Sequence, residues 1–393
     1  MFNVGCRMSD VFHRVMNTQI SMNPNRDDPC TLVVVFLRGA ADGLTLVAPV
    51  GDDNYHKFRP RLAVRKKDAF MLDGFFGLHP NLSALEPAWK EGDLCIVHGV
   101  GGESDTRSHF EAQELMEHGG PAAGGWLGRF LRSRRQTASP LSAVALAPTL
   151  PELLSGAPAA AAFESLEEFS LGGRGRNEKV PAEFARELRR LYELEPDALR
   201  DAARNTFDAI ARIEAIDRHA IPGNAAGYDE HDSFAQGLRQ VAQLIQADVG
   251  LDAASVDLGG WDSHFTQKTL IEPLMLRLAK GLAAFRKDLG SRMATTTVVV
   301  MTEFGRRVAE NSAFGTDHGR GSAMFVMGGG VRGGRIIGPW PGLTPEMLDG
   351  PGDLPVWNNY RNVIAPVLTR HGAPADLSKI FPDFAVKPLP LYS

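Results

Sequence analysis

The sequence predicts an α/β protein with a largely parallel central sheet. Short β-branched and apolar runs, each of strand length, alternate with longer amphipathic stretches of helical length. Alternation of this kind is typical of parallel strands joined by helical crossovers, with the strands buried on both faces. The predicted strands are Thr31–Leu37, Asp93–Val100, residues 141–147, Ala254–Leu258, Thr297–Met301 and Ala323–Met327.

Helical periodicity and capping residues place the predicted helices between these strands. They run from Asn81 or Ser83 to about Lys90, from Thr106 or Ser108 onward, and across Pro181–Ala215, Phe234–Ala247 and Thr266–Leu289. The resulting organisation is an irregular N-terminal tail (1–30), one domain (31–386) with a helix-rich insertion at about 150–250, and a C-terminal tail (387–393).

Composition excludes several classes of function. The chain has 393 residues, 44% hydrophobic and 23% charged, with a formal net charge of −5 and no basic stripe that would indicate nucleic acid. Cys6, Cys30 and Cys95 are scattered, which argues against a disulfide framework or a thiolate zinc site. We find no apolar run long enough for a transmembrane helix and no export signal, so the literal expectation is a cytoplasmic protein.

Carboxylates and imidazoles follow the predicted strands, where ligands bind in open α/β sheets. Several carboxylates gathered at one edge would repel unless cations balance them, and with histidines present the set indicates a divalent metal, such as zinc, calcium or manganese. The alternative for each Asp is a turn or capping role. The candidate metal ligands are Asp42, Asp262, His264, Glu303, Asp317 and His318.

A second candidate group lies at the start of the predicted helix near residue 106. The hydroxyl of Thr106 or Ser108, beside Arg107 and His109, has the surroundings of a nucleophile at a helix N-terminus. The alternative is that either hydroxyl only caps the helix.

Six motifs together resemble the bacterial domain-of-unknown-function family 1501, over residues 31 to about 386. That family resembles a branch of the alkaline phosphatase and sulfatase superfamily. The resemblance implies a three-layer αβα sandwich, and an exported or periplasmic location is the alternative it suggests. The motifs are Leu37–Leu44, Leu78–Pro80, Arg107–Phe110, Gly259–His264, Thr302–Arg306 and Gly315–Gly321.

By position, the resemblance implies that Asp42, Asp262, His264 and His318 are metal ligands and that Ser108 or Thr106 is the nucleophile. The chain departs from the superfamily at Glu303-Phe304, where an Asp-His pair is usual.

Two hypotheses of different classes follow. The first is a metal-dependent hydrolase of small anionic esters (phosphate or sulfate), with Arg38, Arg107 or Arg306 holding the anion. The second is a non-catalytic binding or scaffold protein that retains the fold, favoured by Phe304, which cannot bind a metal. A metal-free anion pocket using Arg306, Arg320 and glycine-loop N–H groups is a further alternative.

Overall fold

The computed structural model describes residues 30–134, 141–166, 182–215 and 225–393. The predicted N-terminal tail lies outside the described residues except for its last residue, Cys30.

A mixed, mostly parallel sheet forms the centre of the protein. Its order is β11-β5-β10-β9-β1-β8-β6-β7, with β12 also paired to β5, and a small separate sheet has the order β2-β4-β3. The strands are β1 (Thr31–Arg38), β2 (Val47–Ala48), β3 (Phe70–Met71), β4 (Gly77–Leu78), β5 (Leu94–Gly101), β6 (Ala143–Ala145), β7 (Ala161–Ala162), β8 (Ala253–Gly259), β9 (Thr296–Met301), β10 (Ser322–Gly328), β11 (Arg335–Ile337) and β12 (Asn358–Asn359).

Helices cover both faces of the large sheet. They are α1 (Gly43–Leu46), α2 (Asp53–Phe58), α3 (Glu86–Lys90), α4 (His109–His118), α5 (Trp126–Ser133), α6 (Ala182–Glu193), α7 (Asp197–Ala215), α8 (Ser233–Gln246), α9 (Gln267–Leu289) and α10 (Tyr360–Arg370). Short 3-10 helices occupy Pro80–Leu85, Glu152–Leu154, Gly290–Ala294 and Pro345–Met347.

The apolar run of β1 explains the layering. Successive side chains on a strand point to opposite faces, and both faces of β1 are buried. Val33 and Val35 join a core with α8 and α9, whereas Val34 and Phe36 join a core with α5 and α10. The sheet therefore lies between two helical layers.

All six predicted strands are present, with ends that differ by one to two residues. Of the one or two helices predicted across Pro181–Ala215, the structure has two, α6 and α7. Pro196, which cannot continue a helical hydrogen-bond ladder, lies between them. The helix predicted to reach about Lys90 begins as the 3-10 turn Pro80–Leu85 and continues as α3.

Strand direction brings the candidate residues to one edge. β1 is parallel to β8 and β9, so the loops that follow all three strands leave the sheet at the same edge. β10 is antiparallel to both β9 and β5, so the end of β5 and the start of β10 lie at that edge as well. Five segments that carry candidate site residues therefore meet there.

Within the described ranges, no helix combines the length and the apolar character that crossing a bilayer requires.

Candidate metal centre

The loop after β8 is fixed by buried groups around it. The indole of Trp261 is fully buried and its Nε1 donates to Leu258 O at 2.9 Å. Arg306 is 1% exposed, and its guanidinium donates to Gly39 O and to Asp262 Oδ1. A side chain at Gly39 would place its Cβ 2.5 Å from Asp262 N, so this crossing of two loops requires glycine. The loop is therefore rigid, and Asp262 is held at the sheet edge.

Three imidazoles converge on the Asp262 carboxylate. Its Oδ1 lies 3.1 Å from His264 Nε2, 3.4 Å from His318 Nε2 and 3.5 Å from His109 Nε2. The Nε2 atoms of His264 and His318 are 2.8 Å apart. These residues come from the loop after β8, the segment before β10 and the first turn of α4. We call the four side chains, Asp262, His264, His318 and His109, the histidine–aspartate group.

In each of the three histidines, an oxygen acceptor faces the second ring nitrogen, Nδ1. Nδ1 of His109 lies 2.8 Å from Glu303 Oε1, and Nδ1 of His318 lies 2.8 Å from Arg107 O. Nδ1 of His264 faces Asp317 Oδ1 at 3.6 Å. A proton held on Nδ1 leaves the lone pair on Nε2, and metal-binding histidines typically have this arrangement. The three Nε2 lone pairs are thereby directed to one place.

The spacing suits a first-row divalent cation. Two nitrogen or oxygen ligands, each about 2.0 to 2.2 Å from zinc, lie about 2.9 to 3.4 Å apart for octahedral to tetrahedral angles. The 2.8, 3.1 and 3.4 Å separations among His264, His318 and Asp262 fall close to that range. The ligand atoms of His109, Asp262 and His318 all lie within 4.8 Å of one another.

The charges around the group favour an ionised Asp262 and a neutral His318. Burial raises the pKa of Asp262, but the hydrogen bond and charge of Arg306 outweigh it and hold that pKa at about 2. Burial and the charge of Arg306 lower the pKa of His318 below its ordinary value. The hydrogen bond that His109 donates to the Glu303 carboxylate raises the pKa of His109. Asp262 is therefore ionised and His318 unprotonated at neutral pH, as ligands must be.

Glu303 contacts the Nδ1 side of His109, whereas Asp262 faces Nε2 of the same ring. It is 3% exposed, and Oε1 accepts from Gly39 N at 2.8 Å and Gln113 Nε2 at 3.0 Å in addition to contacting His109. Oε2 accepts from Thr302 Oγ1 at 2.9 Å. Both oxygens are thus engaged by protein groups, and metal ligation by Glu303 stays a prediction.

Asp317 also lies behind a histidine. Besides facing His264, its carboxylate accepts from Asn311 Nδ2 at 3.2 Å and lies 3.5 Å from Arg307 Nη1. Its carboxylate is thus engaged by neighbouring side chains, and metal ligation by Asp317 stays a prediction.

Asp42 is engaged elsewhere. Its carboxylate is fully buried and forms an ion pair with the equally buried Arg59, with Oδ2 2.5 Å from Nη1 and Oδ1 3.1 Å from Nη2. Thr45 Oγ1 and Gln267 Nε2 also donate to Oδ2, at 2.6 and 2.7 Å. Arg59 thus pairs with both oxygens of Asp42, and metal ligation by Asp42 stays a prediction.

The two candidate hydroxyls make local bonds. Ser108 is the N-cap of α4 and accepts from Glu111 N at 3.4 Å. Thr106 Oγ1 donates to Glu111 Oε2 at 2.7 Å and accepts from Ser108 N at 3.2 Å. These contacts match the capping alternative, and the nucleophile role of either hydroxyl stays a prediction.

The candidate anion-binding arginines are all paired. Arg38 contacts Asp257 and Glu117, Arg107 contacts Asp353, and Arg320 contacts Asp349. Arg306 also donates from Nε to Ala40 O and from Nη1 to Thr316 O, so its guanidinium is used within the loops. Arg306 is therefore a scaffold residue of the site and has no face available to an anion.

Sequence reasoning missed two supporting residues, Gln113 and Phe304. Gln113 donates to Glu303, and its spacing of four residues from His109 on one helix face was the available signal. Phe304 stacks on His109, with the two ring centroids 5.0 Å apart. The Phe304 and His318 ring centroids are 5.1 Å apart. Phe304 thus packs the two imidazoles into place although it cannot bind a cation itself.

Comparison with known protein families gives one result. A family model described as "Protein of unknown function (DUF1501)" matches residues 107–355, which include all four members of the histidine–aspartate group. No curated protein matches the chain.

Proposed function

The chain belongs to the DUF1501 family of proteins of unknown function, and we propose that it is a divalent-metal-dependent hydrolase whose cation is bound by the histidine–aspartate group. The observation that carries the proposal is the convergence of three imidazole Nε2 atoms on Asp262 Oδ1, each within 3.5 Å. Three such nitrogens with one carboxylate form a ligand set that suits zinc better than calcium, which prefers oxygen ligands.

His264, His318 and Asp262 would be the closest ligands, and His109 would complete the set. A cation bound there would supply Lewis-acid chemistry, polarising an ester oxygen and lowering the pKa of a bound water. Asp262 is the most exposed of the four, with 49% of its side chain accessible. The group therefore opens to solvent on the side of Asp262, from which a substrate would approach.

The substrate that we propose is a phosphate or sulfate ester, as the resemblance to the alkaline phosphatase and sulfatase superfamily implies. The four candidate arginines are already paired with carboxylates or backbone oxygens. The bound cation would therefore be the main charge that neutralises the ester's anionic oxygens. On this proposal, activity depends on the metal more strongly than on any one arginine.

A non-catalytic binding protein is the second candidate. It is favoured by the local bonds of Ser108 and Thr106, which leave neither hydroxyl as an evident nucleophile, and by Phe304 at a position where the superfamily usually has a ligand. Such a protein would keep the metal and lack turnover.

The test combines metal content with activity. The purified protein is analysed for zinc, manganese, calcium and iron, then assayed with aryl phosphates and aryl sulfates after loading with the metal found. Asp262→Asn is compared with Asp105→Asn, an exposed Asp on the loop between β5 and α4. We expect Asp262→Asn to lose both metal and activity and Asp105→Asn to keep both.

The two candidate functions give different results. A protein that binds metal stoichiometrically but hydrolyses neither ester class would support the binding protein. A protein that takes up no divalent metal, even after incubation with excess cation, would overturn both the metal centre and the hydrolase.

A further inference from the structure

A cavity of about 200 Å³ lies beside the histidine–aspartate group. Phe304 and Glu303 form part of its wall, and the same two side chains contact His109 on the metal side. Leu115 and Met116 of α4 and Tyr360 of α10 line it as well. The cavity thus shares a wall with the candidate metal centre and has a largely apolar interior.

Two guanidinium groups, those of Arg361 and Arg320, lie in the wall of this cavity. Arg361 is 2% exposed, and its neutral acceptors are Asn359 Oδ1 at 3.1 Å and Gly119 O at 3.3 Å. Arg320 pairs through Nη1 with Asp349 Oδ2 at 2.9 Å, whereas its Nε atom is buried and has no hydrogen-bond partner in the part of the chain that the structure describes. Two cationic donors beside an apolar space are suited to an oxyanion on an apolar body.

Glu103 at present neutralises Arg361. Its carboxylate lies 2.5 Å from Arg361 Nη2, yet 65% of the Glu103 side chain is exposed. Glu103 belongs to the loop between β5 and α4 and is the one carboxylate paired with Arg361 among the described residues. A buried cation is therefore covered by a surface carboxylate. A carboxylate on a ligand could take its place, because it would make the same charge-assisted hydrogen bond to Arg361.

We propose that the cavity is a binding subsite for an organic oxyanion with an apolar body, which takes the place of the Glu103 carboxylate on Arg361 and also contacts Arg320. The apolar body lies against Leu115, Met116 and Phe304. The subsite rests on the proposed function in one respect: the oxyanion and its apolar body would be the part of the hydrolase's substrate that lies away from the ester. Binding in the cavity itself requires no metal.

The probe is phenylacetate, compared with the neutral 2-phenylethanol, by calorimetry on the full-length protein as purified and again after chelator treatment. We expect phenylacetate to bind in both cases and the neutral analogue to bind at least about tenfold more weakly, because its hydroxyl has no negative charge to pair with the guanidiniums. Measurement without metal separates a failure of this subsite from a failure of the metal centre.

Three variants test the residues. Glu103→Gln removes the competing carboxylate from an exposed loop, so phenylacetate should bind about two- to fivefold more tightly. Arg320→Gln should weaken binding about fivefold or more. Asp105→Asn, on the same loop as Glu103, is the matched control and should leave the affinity unchanged.

The opposite results overturn the proposal. Absence of phenylacetate binding to both the wild type and Glu103→Gln would show that the cavity is not an oxyanion subsite. Equal affinity for phenylacetate and 2-phenylethanol would show that the guanidiniums do not contact the ligand. Weaker binding by Glu103→Gln would mean that Glu103 supports the pocket and does not compete with the ligand.

Discussion

Nε2 of His264 lies 2.8 Å from Nε2 of His318. Two imidazole nitrogens approach this closely when they share a proton or a cation. The Nδ1 atom of each ring faces an oxygen acceptor, Asp317 Oδ1 for His264 and Arg107 O for His318. A hydrogen already held at Nδ1 leaves two opposed lone pairs at the Nε2 atoms, and a shared cation relieves that opposition.

Replacing His264 by Ala removes one of the closest ligands. We expect metal affinity to fall by more than about 100-fold, beyond the range typical of changes behind a ligand. His231→Ala is the control, because His231 is exposed and lies outside the histidine–aspartate group. Competition with a chromogenic chelator measures the affinity of both variants. Unchanged affinity in His264→Ala would exclude this residue from the ligand set.

Glu303→Gln tests whether Glu303 orients His109 or binds the cation. An orienting role predicts a loss of about 10- to 100-fold in metal affinity, since the imidazole keeps its place but loses a charged partner. Glu117→Gln is the control: Glu117 is also a buried carboxylate, and it accepts from Arg38 and from Leu153 N. If Glu303→Gln loses as much affinity as His264→Ala, Glu303 is itself a ligand.

Metal affinity should increase with pH. The hydrogen bond that His109 donates to Glu303 raises the pKa of His109 above its usual 6.5. The metal-free protein therefore retains a proton there at pH values where an ordinary histidine has lost it. A cation must displace that proton, and binding therefore weakens as pH falls through this raised pKa. Calorimetric titrations between about pH 6 and pH 8 measure the trend. In Glu303→Gln the weakening should begin at a lower pH; an identical pH profile would separate His109 from metal binding.

The ion pair between Arg59 and Asp42 should contribute to stability and not to metal binding. Arg59→Met leaves a buried carboxylate without its cation, and we expect the free energy of unfolding to fall by about 3 to 5 kcal/mol. Arg61→Met is the matched control, because the Arg61 side chain is half exposed and its ion pair with Glu310 should contribute no more than about 1 kcal/mol. Urea denaturation measures both. Loss of metal from Arg59→Met protein that is still folded at low temperature would indicate that Asp42 takes part in metal binding.

The sequence predicted the strands and the edge of the sheet better than the contacts at that edge. Runs such as Thr31–Leu37 are strands because continuous β-branched residues suit burial on both faces. The order of the strands depends on contacts between distant segments, such as β1 with β8 more than 200 residues later, and periodicity carries no information about these. The residues of the site could therefore be named before their partners could.

Which carboxylate binds a cation and which supports a ligand depends on differences of a few ångströms. Asp262 and Glu303 both follow a central strand, yet only Asp262 reaches the Nε2 atoms, while Glu303 reaches the Nδ1 atom of His109. Asp42 also follows a central strand, but it meets Arg59, seventeen positions along the chain. The motifs predicted which end of the sheet these side chains occupy. Only the structure shows which groups each of them contacts.

Stability should fall in mild acid because of His98. It is 1% exposed, with Nε2 3.0 Å from Val47 O and Nδ1 accepting from Gly99 N at 3.0 Å, and burial lowers its pKa to about 4. In the unfolded chain His98 has an ordinary pKa near 6.5, so as pH falls it is protonated there before it is protonated in the folded protein. The free energy of unfolding therefore decreases as pH falls from about 6.5 toward 4. This difference in the pKa of His98 corresponds to a change on the order of 3 kcal/mol in the free energy of unfolding. Urea denaturation in chelator at several pH values should show a shallower pH dependence in His98→Gln than in the wild type. Equal slopes in the two proteins would mean that His98 is not the group responsible.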